Sequence, residues 1–442
     1  MFLSTQCLRR QLKEVLLDLT HQGHQTAGLM EQLLSLPESI DAMLSFARTL
    51  AVLPLREEWQ FVEPLDWEGT LAAMAPSRSQ GPLATISTAE AAGRIETAFL
   101  SSVCGCILGK PLEVSPTLKQ LQEAFTKVGQ WPISDYVSTT VLNALGRRHG
   151  DWTDTVREKI SYAASDDDLN YSTLGMLLLE QSGGQFTHQD LRDMWLMNLP
   201  PMWCWGPERT VLIRAALQSQ GWTQDDPSDW AALFNPGNEL CGAMIRADAY
   251  GYACPGNPQR AAELAFKDAS FTHRRTGVYG TMFAAAAIAA ATVVRDPLEV
   301  FQTALQYVPQ RSRFFTIVSD ALDCVAGATD FSDGYERIHS KYHQYGHCRV
   351  YQESGTLINT LRFATDIGDG ICKQVMQGND TDSYGCTAGS ILGNFFGPGH
   401  LDQRWLAPFN DTIHLALATF HGQSLSSLAK RMSQLPQRIA SA

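Results

Sequence analysis

The sequence is poor in positive charge. Lysine and arginine number 34 against 46 aspartates and glutamates, which gives a formal net charge of −12 at pH 7 over 442 residues. The basic residues form no run. Binding to a nucleic-acid backbone or to an anionic membrane depends on clustered positive charge. The composition therefore argues against both, and we expect no nucleic acid and no membrane among the partners.

Long apolar runs and paired cysteines are also missing. The longest apolar stretch, Val278 to Val294, contains Gly280 and two threonines and is shorter than the roughly 20 residues that a bilayer span needs. The ten cysteines are scattered, with one C-x-C at Cys104 and Cys106 and no zinc-type spacing. Since no signal peptide is evident either, the pattern favours free thiols in a reducing compartment. We expect a soluble, cytoplasmic protein.

Sustained alternation of apolar and polar residues is absent as well, so the sequence predicts no sheet. With 44% hydrophobic and 18% charged residues the chain is globular. Residues 1–50 show helical periodicity, and the proline-rich residues 51–85 read as a connecting loop with a short helix around 66–75. We expect an all-α protein, with an N-terminal helical extension and connecting loop over residues 1–87 and one compact domain over residues 88–442.

Two carboxylates and a hydroxyl stand together near the far end of the chain, at Asp380, Asp382 and Ser383. A segment of small residues, which reads as a tightly packed helix, follows them. Hard oxygen donors of this kind suit Mg²⁺, Mn²⁺ or Ca²⁺. Aspartate and serine at a helix start also cap free N–H groups and complement the helix dipole. This motif alone leaves both interpretations open.

A second acidic cluster, Ser165-Asp166-Asp167-Asp168, stands far upstream and leads into a mostly apolar helix. Ser165 and Asp168 fit the S-x-x-D pattern of a capping box, which favours a purely structural role for this cluster taken alone. Capping does not explain why two distant segments share a hydroxyl and two carboxylates. Two helix ends brought together could supply six oxygen ligands to one or two cations.

Three further segments contain candidate residues. Gly105 and Gly109 lie on one face of the helix that starts near Thr88, where they would let a neighbouring helix or a ligand approach closely. Glu113 follows Pro111 on a loop, where an isolated glutamate is usually only solvated. His273 precedes an alanine-dense helix and could bind a phosphate, orient an acidic residue or merely cap and pack.

A tryptophan-rich turn, residues 200–209, contains Trp203 and Trp205. Such aromatic side chains could stack on a base. They more often fill the space under a long loop.

In order and spacing these motifs resemble the ADP-ribosylglycohydrolase family, which includes the dinitrogenase-reductase-activating glycohydrolase. The resemblance covers residues 88–425 and rests on the following features: Gly105-x-x-x-Gly109 with Glu113, Ser165-Asp166-Asp167, His273, and Gly378-Asn379-Asp380-Thr381-Asp382-Ser383. The signature Asp166-Asp167-Asp168-Leu169-Asn170-Tyr171 is similar to that of a long bacterial subgroup.

The resemblance implies a compact multi-helix bundle with a di-metal site at its centre. It also implies hydrolysis of the C1″ bond that joins ADP-ribose to a protein side chain or a small acceptor. Two Mg²⁺, or Mn²⁺, are implied with Ser165, Asp166, Asp167, Asp380, Asp382 and Ser383 as ligands. Catalysis is implied for Glu113, Asp167 and Asp380, and substrate binding for Gly105, Gly109, His273, Tyr279 and Gly378.

The chain also departs from the family pattern. Cys106 stands where an aspartate is usual, Asp168 where a threonine is common, and Tyr384 where a small residue or asparagine is frequent. Loss of the aspartate removes a polar group near the metals and puts the substrate in doubt. Two alternatives to an ADP-ribosyl hydrolase therefore stay open. One is a hydrolase or transferase for another ribosyl or nucleotide compound, and the other is a non-catalytic ADP-ribose-binding protein.

Overall fold

The computed structural model describes residues 4–224 and 226–440. It is 63% helical, with 21 α-helices in the described residues. Besides three isolated bridges, the strand pairing in these residues consists of one antiparallel hairpin, β1 (Thr412–His414) and β2 (Gly422–Ser424), which places Ile413 opposite Gln423. The all-α prediction is confirmed. The sequence did not predict this hairpin, because strands of three residues are too short to show an alternating pattern.

Residues 4–87, the N-terminal extension, contain four helices. They are α1 (Thr5–His21), α2 (Leu29–Ser35), α3 (Ile40–Ala51) and α4 (Trp67–Ala73). The first three share a small apolar cluster of their own, apart from the main core. Charged contacts fix the extension to the body, since Gly237 N donates to Asp18 Oδ2 at 2.7 Å and Arg313 pairs with Glu63 at 2.8 Å. The division into an N-terminal extension over residues 1–87, packed against one compact domain over residues 88–442, stays a prediction.

The body contains the remaining helices. They are α5 (Thr88–Gly109), α6 (Leu118–Lys127), α7 (Thr139–Leu145), α8 (Asp167–Ser182), α9 (His188–Asn198), α10 (Gly206–Ser219), α11 (Asp248–Ala253), α12 (Pro258–Ala269), α13 (Thr276–Ala291), α14 (Pro297–Leu305), α15 (Arg313–Ala326), α16 (Phe331–Tyr342), α17 (Val350–Phe363), α18 (Ile367–Met376), α19 (Thr381–Phe396), α20 (Leu425–Ser433) and α21 (Leu435–Ala440).

The alanine-dense helix α13 lies at the centre of the body. Every one of its residues is buried, and it packs against α11, α12, α14 and α19. Small side chains let neighbouring helices approach it from all sides. A helix that is apolar around its whole circumference must be buried in this way.

The helices α5 and α19 form the tightest crossing. A Cβ atom on Gly105 would lie 2.0 Å from the carbonyl oxygen of Gly385, and one on Gly109 would lie 2.1 Å from that of Thr381. Glycine is required at both positions because any side chain would push the backbones apart. The crossing places the end of α5 beside the start of α19.

By length and composition alone, the segment Thr88–Leu112, which begins with α5, could span a bilayer. Its most apolar stretch is 67% buried inside the fold. Core helices of globular proteins have the same composition, and the packing against α19 accounts for this one.

Candidate active site

The start of α8 carries the first acidic cluster. Asp166 is the N-cap, and its Oδ1 accepts a hydrogen bond from Asp168 N at 3.0 Å. The capping box predicted from Ser165 and Asp168 is therefore wrong, because the aspartate that follows Ser165 takes the cap position. Ser165 Oγ is buried and has no hydrogen-bond partner among the described residues.

The start of α19 carries the second cluster, and the structure brings the two together. Ser383 Oγ donates to Asp168 Oδ2 at 3.4 Å, a contact between residues 215 apart in the chain. Asp380 occupies the N-cap position of α19 without making a capping hydrogen bond through its side chain. The carboxylate of Asp380 is thus available for another partner.

A lysine that the sequence analysis did not single out lies between the clusters. Lys110 Nζ is 2.5 Å from Asp166 Oδ2, 3.5 Å from Asp382 Oδ2 and 3.7 Å from Glu113 Oε2. Lys110 is only 6% exposed to solvent. The close approach of α5 to α19 brings the ammonium into the acidic cluster, because Lys110 directly follows Gly109.

Glu113 lies at the rim of the cluster. Its side chain is 24% exposed, and its Oε2 lies 3.5 Å from His149 Nε2. Ligand atoms of Glu113, His347 and Asp380 lie within 4.8 Å of one another. Burial, followed by the charge of Asp380, raises the pKa of Glu113. A partly exposed carboxyl group whose pKa is raised is suited to proton transfer.

The pKa values of the more deeply placed carboxyl groups are shifted in opposite directions. Burial alone would raise the pKa of Asp166, but the Lys110 ammonium and hydrogen bonds from Asp168 lower it to about 2. Burial and neighbouring carboxylates raise the pKa values of Asp167, Asp168 and Asp382 well above their usual range. Without additional positive charge, these groups cannot all be ionised together.

Asp380 has further neighbours that the sequence analysis missed. Cys241 Sγ and Cys348 Sγ donate to its Oδ2 at 3.2 and 3.3 Å. Its backbone N–H donates to Glu353 Oε1 at 3.1 Å. Neither the cysteines nor Glu353 stood in a recognisable motif, and only the fold reveals that they are near Asp380.

The donor set fits divalent cations. Lys110 lies within 3.7 Å of carboxylate oxygens of Asp166, Asp382 and Glu113. Three further carboxylates, Asp168, Asp380 and Glu353, are buried beside these, so negative groups outnumber the ammonium. Several of their oxygens, including Asp168 Oδ1 and Asp380 Oδ1, have no hydrogen-bond partner in the described parts of the chain. Buried charge of one sign requires a counter-charge, and carboxylate and hydroxyl oxygens are ligands that Mg²⁺ and Mn²⁺ accept.

The three glycines expected at the substrate have positioning roles in the structure. Gly105 and Gly109 are buried in the helix crossing described above. Gly378 has a φ of +77°, and a Cβ there would lie 2.0 Å from the carbonyl oxygen of Pro116. The following Asn379 N donates to the same oxygen at 2.8 Å, which fastens the loop after Glu113 to the start of α19.

The direct contacts of His273 and Tyr279 are with residues outside the two acidic clusters. His273 is 1% exposed, with Nδ1 2.8 Å from Thr272 Oγ1 and 3.4 Å from Glu208 Oε1. Glu208 pairs in turn with the buried Arg246. The structure thus places His273 in a buried ion network, where burial and Arg246 lower its pKa well below the usual range.

Tyr279 contacts the N-terminal extension. Its hydroxyl donates to the carbonyl oxygen of Pro64 at 2.6 Å, and its ring is fully buried. The hydrogen bond fixes the connecting loop to α13. In this structure Tyr279 therefore joins the extension to the body.

Two residues that depart from the family pattern also lie near the clusters. Ligand atoms of Cys106, Asp166 and Asp168 lie within 4.8 Å of one another, so the cysteine borders the first cluster. Tyr384 is buried, with its hydroxyl 3.5 Å from Met244 Sδ. The Cys106 thiol thus occupies a position where a carboxylate would add a further negative charge.

Comparison with known proteins agrees with this architecture. A family model described as ADP-ribosylglycohydrolase matches residues 87–440. Among solved structures 46 chains match significantly. One of them, an ADP-ribosylglycohydrolase-related protein complex, is 19% identical with a TM-score of 0.50, and the alignment covers 79% of this chain and 99% of that one. No protein with a curated description matches.

Proposed function

The chain belongs to the ADP-ribosylglycohydrolase family and is a hydrolase of the glycosidase class, and we propose that it cleaves the C1″ glycosidic bond of ADP-ribose attached to a protein side chain or a small acceptor. The observation that supports this substrate class is the convergence of two carboxylate clusters on Lys110, with Glu113 at their exposed rim. All ten cysteines are free thiols, and free thiols are typical of the reducing cytoplasm. We therefore propose the cytoplasm as the compartment.

The oxygen ligands would hold the metal. Those proposed are Ser165, Asp166, Asp167, Asp380, Asp382 and Ser383. We propose two Mg²⁺, with Mn²⁺ as the substitute. When bound, such ions polarise sugar oxygens and lower the pKa of a bound water. The side chains of Asp167 and Asp382 need this positive charge in order to stay ionised at neutral pH.

Glu113 would carry the proton transfer. Cleavage of a ribosyl bond passes through an oxocarbenium-like transition state, in which the leaving atom needs a proton. The Glu113 carboxyl group gives its proton to that atom as the bond to C1″ breaks. The water that adds to C1″ then returns a proton to the Glu113 carboxylate, which restores the enzyme. Lys110 and His149 lie near enough to orient the carboxyl group.

A hydrolysis screen tests the proposal. The full chain, supplied with Mg²⁺, is offered arginine-, serine- and O-acetyl-linked ADP-ribose, with nucleosides and NAD alongside. Release of free ADP-ribose from one linked substrate, abolished by chelator and greatly reduced in Glu113→Gln, is expected. Turnover of nucleosides or NAD alone would overturn the ADP-ribosyl assignment. It would favour the second candidate, a hydrolase for another ribosyl compound, which Cys106 at the border of the first cluster supports.

A further inference from the structure

Two thiols and one carboxylate converge at a single point beside the acidic clusters. Cys241 Sγ and Cys348 Sγ donate to the same oxygen, Asp380 Oδ2, at 3.2 and 3.3 Å. All three ligand atoms lie within 4.8 Å of one another. The thiols come from segments far apart in the chain, so the fold itself assembles the group.

The backbone holds the two cysteines together. Cys241 N donates to the carbonyl oxygen of Cys348 at 3.0 Å. Cys348 has a φ of +60°, which a non-glycine residue adopts only when its surroundings impose it. The main chain thus holds the two cysteines side by side next to Asp380.

Buried oxygens without partners adjoin the group. Asp380 Oδ1 and Glu353 Oε2 make no hydrogen bond with any described residue, although both residues are 2% exposed. Glu353 lies against Asp380, because its Oε1 accepts the Asp380 backbone N–H at 3.1 Å. Buried carboxylate oxygens in this state need a cation or a hydrogen-bond donor.

We propose that Cys241, Cys348 and Asp380 form a binding site for a thiophilic divalent cation of the zinc class. Zinc accepts sulfur and oxygen ligands in a tetrahedral arrangement, with Zn–S bonds of about 2.3 Å and hence sulfur atoms about 3.8 Å apart. Glu353 or a water completes the tetrahedron. The two thiols release their protons to solvent as the ion binds. Mg²⁺ prefers oxygen ligands and disfavours this sulfur-lined position.

The site adds a second kind of ion to the proposed centre. Asp380 Oδ2 faces the thiols, which leaves Oδ1 for an ion held by the oxygen ligands of the two acidic clusters. The inference goes beyond the proposed hydrolysis and does not depend on it, because ion binding is measured without any substrate.

Cobalt is the probe for this site. The full chain is freed of metal with a chelator and titrated with Co²⁺, whose thiolate complexes absorb in the near ultraviolet. One equivalent of Co²⁺ should produce this sulfur-to-metal absorption, and one equivalent of Zn²⁺ should abolish it. Cys241→Ser and Cys348→Ser, examined separately, should each weaken Zn²⁺ binding by more than the roughly 10–100-fold that loss of an outer-shell partner costs.

Cys106→Ser is the matched control. Cys106 also lies beside two carboxylates of the same centre, Asp166 and Asp168, but it offers only one sulfur atom. The cobalt absorption should persist in this variant. Three results would each overturn the proposal. The absorption could be lost in Cys106→Ser, it could persist in both Cys241→Ser and Cys348→Ser, or the wild type could show no thiolate absorption at all. Circular dichroism of each variant establishes that the fold is intact. If one of the two cysteine variants, Cys241→Ser or Cys348→Ser, fails to fold, the result for the other one tests the proposal.

Discussion

The Lys110 ammonium lies 2.5 Å from Asp166 Oδ2, which joins the end of α5 to the N-cap of α8 inside the buried acidic cluster. This ion pair gives the cluster one positive charge before any metal binds. It also divides the carboxylates into two kinds. Asp166 stays ionised because of Lys110, whereas Asp167, Asp168 and Asp382 have raised pKa values and depend on further cations.

Lys110→Met should destabilise the protein strongly. Removing one partner of a buried ion pair costs about 3–5 kcal/mol, because the other charge stays buried. Part of this stabilisation acts through the pKa of Asp166, which burial would raise but Lys110 and hydrogen bonds from Asp168 lower to about 2, against an ordinary 3.8. That stabilisation is present above pH 3.8 and is lost as the pH falls through the folded pKa. The difference in unfolding free energy between wild type and variant should therefore shrink in acid.

Denaturant unfolding of the wild type and of Lys110→Met across this pH range measures the effect. Lys119→Met, on the exposed face of α6, is the matched control and should change the free energy little. A Lys110→Met protein as stable as the wild type at pH 7 would show that the ion pair contributes nothing.

Metal removal should make stability depend on pH. The folded state binds protons at Asp167, Asp168 and Asp382 more tightly than the unfolded chain does. The metal-free protein should therefore lose stability as the pH rises above the ordinary value of 3.8. Added Mg²⁺ should raise the Tm at pH 7 and raise it much less in acid, where protons compete. Thermal melts with chelator or Mg²⁺ test this, and an equal Mg²⁺ effect at both pH values would contradict it.

Gly109→Ala should separate α5 from α19 and displace Lys110. Its Cβ would meet the carbonyl oxygen of Thr381 at 2.1 Å, a contact that only backbone movement can relieve. Overpacking of this kind costs about 1–3 kcal/mol. Mg²⁺ binding, followed by calorimetry, should weaken as well. Gly150→Ala is the control, since a Cβ there meets nothing within 4 Å. Unchanged Mg²⁺ affinity in Gly109→Ala would show that the crossing does not position the ligands.

The sequence predicted the fold class and the acidic motifs, but it did not by itself predict how the motifs meet. Periodicity places Asp166 and Asp382 at helix starts. No local sequence pattern indicates that two helices more than 200 residues apart begin next to each other. Only the resemblance to a family predicted that the two helix starts meet. The cap at α8 was misassigned because Ser165 and Asp166 are both good N-cap residues, and local pattern does not choose between adjacent candidates.

The missed residues share a physical cause. A single lysine between Gly109 and Pro111 reads as a solvated side chain, and its burial follows only from the close approach of α5 to α19. Cys241 and Cys348 reach Asp380 through tertiary contacts that leave no spacing signature. For Tyr279 the substrate-binding role stays a prediction, because a side chain at the start of a central helix has many possible neighbours. In the structure the neighbour is Pro64.

Glu113→Gln separates binding from chemistry. The amide keeps the shape of the side chain but cannot exchange a proton, so kcat should fall by roughly 10²–10⁴-fold while KM changes little. Because burial and Asp380 raise the pKa of Glu113, wild-type activity should fall as the pH rises through that value, and this limb of the pH profile should be absent in the variant. Glu123→Gln, on the exposed face of α6, should leave kcat unchanged. Asp380→Ala should instead weaken metal and ligand binding together, because it deletes an oxygen ligand. Full turnover of a verified substrate by Glu113→Gln would remove Glu113 from the mechanism and assign the proton transfer to another base.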